Sequence, residues 1–116
     1  MKRDFALFEK LLARALTSSD PVQALRRAAG DRRLDPDTRR RFENADEDGI
    51  RMSALLVARL RFERLLRGSP EAEQWFDDDP ATFAAAFRAY HAEVPPTAFF
   101  PRDEAALFRR WRKSPV

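Results

Sequence analysis

Four dipeptides constrain this chain more than anything else in it: Asp20-Pro21, Asp35-Pro36, Ser69-Pro70 and Asp79-Pro80. In each, a side-chain oxygen able to cap a helix precedes a proline. Proline fits the first helical position because the N–H it lacks would have no partner there. Four helix starts are therefore written into a chain of 116 residues. Gly30 and Gly68 fall where helices should stop, and both are expected in the left-handed C′ conformation. β-branched residues are scarce and no alternating strand pattern occurs, so the expectation is an all-α fold.

Apolar periodicity fills the intervals with seven expected helices. They run about 4–17, 21–29, 36–44, 47–67, 70–76, 80–92 and 102–113. The first places Phe5, Phe8, Leu12 and Leu16 on one stripe. The fourth, longest helix carries Ile50, Leu55, Leu56, Val57, Leu60, Phe62, Leu65 and Leu66 on more than one stripe, which predicts a central position. Short connections predict one compact bundle over residues 1–113 and a frayed tail over 114–116. The expected core is Phe5, Phe8, Leu12, Leu25, Leu56, Val57, Leu60, Phe83, Phe87 and Leu107.

The chain has no cysteine, which removes disulfides, thiolate metal sites and cysteine nucleophiles. No apolar run is long enough to span a bilayer, and Glu9, Lys10 and Arg14 interrupt the apolar start as no signal peptide would allow. A cytoplasmic protein without membrane attachment is expected. The basic amphipathic segment 1–17 suits a membrane surface but fits better as the first helix of the bundle.

Candidate chemistry is sparse. His91 is the single histidine and has no HExxH or paired-carboxylate companion; it reads as a packing residue. Asp77-Asp78-Asp79 reads as a helix cap with dipole-favoured charge rather than a cation site. Segment 44–49 reads as a turn leading into the long helix. No serine has a GxSxG context and no glycine-rich phosphate loop exists. No catalytic residue, cofactor or metal is expected.

Two surfaces remain. Nearly all the basic charge is arginine, since Lys occurs only three times. Arg39, Arg40, Arg41, Arg61 and Arg64 make a nucleic-acid face the alternative function, although interleaved acids such as Glu43 and Glu63 favour a solvated surface. The preferred function is docking of another protein. Phe83, Phe87 and Tyr90 lead into a stiff Pro95-Pro96 elbow, followed by Phe99-Phe100 and then Leu107, Phe108 and Trp111. Aromatic anchors of this kind dominate interface energetics. The expected partner-binding residues are Tyr90, His91, Pro95, Pro96, Phe99, Phe100, Phe108 and Trp111.

The pattern Phe83, Tyr90, Pro95-Pro96, Glu104, Phe108 resembles a known family. So do Ile50, Ser53, Leu55-Leu56, Phe62, Leu65-Leu66 and Gly68 upstream. The family is the N-terminal helical "DNA-binding" domain of the partner proteins of multinuclear-iron TIM-barrel enzymes that modify ribosomally made peptides. The resemblance covers roughly residues 47–111, with segment 70–80 as an insertion. It implies a non-catalytic accessory subunit that docks such an iron enzyme, whose substrate is a precursor peptide.

Overall fold

In the computed structural model, described for residues 5–113, the chain is all-α. Seven helices are present among the described residues: α1 (Phe5–Leu16), α2 (Pro21–Ala28), α3 (Pro36–Asn44), α4 (Glu47–Gly68), α5 (Pro70–Asp78), α6 (Pro80–Glu93) and α7 (Pro101–Lys113). The expected helix start at Asp4, the side chain of Phe5 and the expected tail 114–116 lie outside the described residues.

All four caps form as their chemistry requires. The Asp20, Asp35, Ser69 and Asp79 side chains accept from the backbone N–H of Gln23, Thr38, Ala72 and Thr82, with proline at the first helical turn each time. The stop signals work differently from expectation. No glycine among the described residues has a positive φ. Gly68, the last residue of α4, is glycine for a steric reason: a Cβ there would lie 2.0 Å from the Pro101 carbonyl oxygen and 2.3 Å from its carbon. Glycine lets the α4 backbone meet the start of α7.

Contacts divide the chain into two compact units, Met1–Val57 and Ala58–Val116. In the first, α1 packs on α2 and α2 on α3. Leu7, Ala15, Val22, Leu25, Leu34, Phe42 and Ile50 form its core. Arg26 reaches across this unit to the carbonyls of Phe42 (2.8 Å) and Ala45 (2.7 Å). It thereby satisfies acceptors at the C-terminal end of α3 that no helical N–H can reach.

In the second unit, α5 and α6 pack together. Leu65, Ala72, Phe83, Phe87, Tyr90, Ala105 and Phe108 form the core, with Phe62, Leu66, Trp75, Phe76, Leu107 and Trp111 against it. Phe62 meets Phe76, Phe83 and Phe87 edge-on at 5.1–5.6 Å, the orientation that places ring edges on ring faces.

Two expected core residues of the long helix are exposed. Ile50 near its start and Leu65 near its end are buried in different cores. Between them Met52, Leu55, Leu56 and Leu60 are exposed, against the expectation that Leu56 and Leu60 are core residues. The stripes of α4 thus supply Ile50 to the core of the first unit and Leu65 to that of the second.

Candidate functional site

The elbow is built from the end of α6. Val94 precedes a proline and is pushed into extended backbone (φ −108°, ψ 120°), which ends the helix. Its N–H still donates to the Tyr90 carbonyl. Residues 95–100 then cross to α7, whose first turn is held at the Phe100 carbonyl by the N–H groups of Asp103 and Glu104.

Beneath this turn lies a buried polar cluster. Arg61 on α4, Tyr90 on α6 and Glu104 on α7 are each 0% exposed, and His91 is nearly so. Arg61 Nε donates to Glu104 Oε2 at 2.9 Å. Its NH1 donates to the Val94 carbonyl at 2.6 Å, and NH2 lies 3.4 Å from the Pro95 carbonyl. The two carbonyls that follow the end of α6 are therefore approached by one guanidinium; that of Pro95 also accepts the Thr97 N–H at 2.9 Å. The Tyr90 hydroxyl donates to Glu104 Oε2. The Arg61 guanidinium also sits 4.3 Å over the Tyr90 ring. Arg64 Nε approaches Glu104 Oε1 at 3.5 Å, an ion-pair distance without hydrogen-bond geometry.

This environment fixes the protonation of its neighbours. His91 stacks on Phe87 with centroids 5.5 Å apart, and its Nδ1 faces Arg61 NH1 at 3.4 Å. A guanidinium can only donate, so Nδ1 is the acceptor and the imidazole is neutral. Burial, and then the Arg61 charge, push the His91 pKa down to about 4. Burial, and then the hydrogen bond to Glu104, push the Tyr90 hydroxyl far above its usual range.

The expected docking residues separate into two groups. Tyr90, His91 and Phe108 are interior: Tyr90 and Phe108 belong to the core of the second unit and His91 to the polar cluster. Their burial has a physical cause, since a helix carrying Phe83, Phe87 and Tyr90 on one face buries that face against α4 and α7. Trp111 is half-buried against Tyr90 and Phe108, and its indole N–H donates to Glu93. Pro96 is half-buried and Pro95 exposed. Phe99 and Phe100 stand in solvent at 86% and 67% exposure.

The alternative arginine set also divides. Arg61 is enclosed, so it does not present its charge to solvent, and Arg64, a quarter exposed, has its Nε 3.5 Å from Glu104. Arg39 is half-buried and donates to the Asp31 carbonyl. Arg40 and Arg41 are exposed. Among the described residues no three His, Asp or Glu come together to hold a metal ion.

The ion pair is what sequence reasoning missed. Arg61 and Glu104 are 43 positions apart, and Arg61 reads as one more arginine in a basic helix. The available signal is its position, four residues before Leu65 on the face that α4 buries.

Compared with family models, curated proteins and solved structures, the chain has no match.

Proposed function

We propose that this chain is a non-catalytic docking subunit whose anchor is the Phe99-Phe100 pair. The observation that carries this reading is the exposure of two adjacent phenylalanines on a turn that a buried guanidinium holds in place. Large apolar side chains gain about 1.5–3 kcal/mol each when removed from water. Presenting them on a fixed turn lowers the ordering cost of association. The remaining aromatics of the segment support the turn from inside. The family resemblance supplies the partner class: a multinuclear-iron enzyme acting on a ribosomally synthesised peptide, for which this chain is the accessory subunit.

The test places a benzophenone amino acid at position 99 and irradiates the protein in its native cells. The reading expects one dominant cross-linked protein, containing iron, and no such product from the probe at exposed Arg88. No product at position 99, or the same products from both positions, would sink it.

A further inference from the structure

A cavity of about 370 Å³ opens between the start of α5 and the end of α7, wholly within the second unit. Arg109, Arg112 and Lys113 line it, with Ser69, Glu71 and Trp75 opposite. The three cations have i, i+3 and i+4 spacing, which sets them on one face of α7. None of the three has a carboxylate partner among the described residues; Arg112 instead lies over the Trp75 ring at 4.5 Å. Elsewhere in the chain Arg26, Arg33, Arg51, Arg59 and Arg61 are bound to carbonyls or carboxylates. Glu71 is the only acid in the lining, so the cavity holds an excess of two positive charges.

We propose that this cavity binds a small phosphomonoester dianion, with the phosphate at Arg109, Arg112 and Lys113 and the organic group against Trp75 and Phe108. Guanidinium forks match phosphate oxygens and a lysine adds a mobile point charge. The first turn of α5 contributes a further donor. Pro70 has no N–H and Ser69 takes that of Ala72, which leaves the Glu71 N–H free at the positive end of the helix. An inorganic phosphate alone would leave most of the volume empty, and the lining includes apolar ring surface as well as charge. A phosphate ester with an apolar body satisfies both parts. This site involves neither Phe99 nor Phe100, so its test is independent of the docking reading.

The experiment titrates the full chain with phenyl phosphate by calorimetry at low and high salt, following the Trp75 indole N–H by NMR. Arg109→Gln/Lys113→Gln removes two charges from the cavity while leaving Arg112 on Trp75. Arg102→Gln/Arg110→Gln removes two exposed charges outside the lining. The proposal expects saturable binding that shifts the Trp75 signal and weakens about tenfold or more in the first variant and at high salt. It expects little change in the second variant. Equal weakening in both variants, or no saturation up to about 10 mM ligand, where affinity is too weak for a specific site, would overturn it.

Discussion

Removing either partner of the Arg61–Glu104 pair should destabilise the second unit strongly, and by different amounts. Stranding one member of a buried ion pair costs about 3–5 kcal/mol. Glu104→Gln leaves Arg61 with the Val94 and Pro95 carbonyls, the Tyr90 ring and His91, so its cost should sit near the lower end, about 3 kcal/mol. Arg61→Leu leaves Glu104 with Tyr90 and with Arg64, which lies at ion-pair distance but makes no hydrogen bond to it. It also leaves the half-buried Val94 carbonyl without its donor, while the Pro95 carbonyl keeps the Thr97 N–H; an unsatisfied buried acceptor costs about 1–3 kcal/mol. Its cost should reach about 5 kcal/mol, a large part of an ordinary domain's stability. The double variant should cost less than the sum of the singles by about 2 kcal/mol or more, since residues in one hydrogen-bonded pair do not behave additively. Urea unfolding followed by tryptophan fluorescence reads this directly, because both tryptophans, Trp75 and Trp111, lie in the second unit. Additive costs, or Glu104→Gln within about 0.5 kcal/mol of wild type as for an ordinary surface change, would refute the reasoning.

Three further outcomes follow from the same structure. His91 titrates near 6.5 when unfolded and near 4 when folded, so between those values the unfolded chain binds more protons. Stability should therefore be complete above about pH 6.5 and fall as pH drops towards 4, by up to roughly 3 kcal/mol; denaturation across this range should show a shallower fall in His91→Gln. Gly68→Ala should destabilise by about 1–3 kcal/mol or more, because its Cβ meets the Pro101 backbone, which has no soft side chain to yield; an unchanged urea midpoint would contradict the packing described. Phe99→Ala/Phe100→Ala should leave the urea midpoint within about 0.5 kcal/mol of wild type, as expected for exposed side chains; a large loss would mean that the pair is structural.

Local chemistry was the legible part of this chain. Each Asp-Pro or Ser-Pro pair starts a helix because cap and proline act within four residues, and the periodic segments fill the intervals. Gly68 was legible as a helix end, but the contact that requires glycine there lies 33 positions away at Pro101. The exposure of Leu56 and Leu60 on α4 was not legible, since periodicity records that a face is apolar and not which core receives it. At the candidate site the density of aromatics was plain, and so was the Pro95-Pro96 turn. The division into interior Tyr90 and Phe108 and exposed Phe99 and Phe100 depends on where α7 returns. The same is true of Arg61, whose partner comes from that helix.

The docking claim is tested most directly by isolating the tagged protein from its native cells after nuclease treatment, at about 0.5 M salt, where exposed ion pairs are screened. Wild type and Phe99→Ala/Phe100→Ala are compared by native mass spectrometry. Losing two buried phenylalanines at an interface removes about 3–6 kcal/mol, a hundredfold or more in affinity. The account predicts a stoichiometric complex with one iron-containing protein for wild type and free subunit for the variant. An identical complex from both proteins would contradict it.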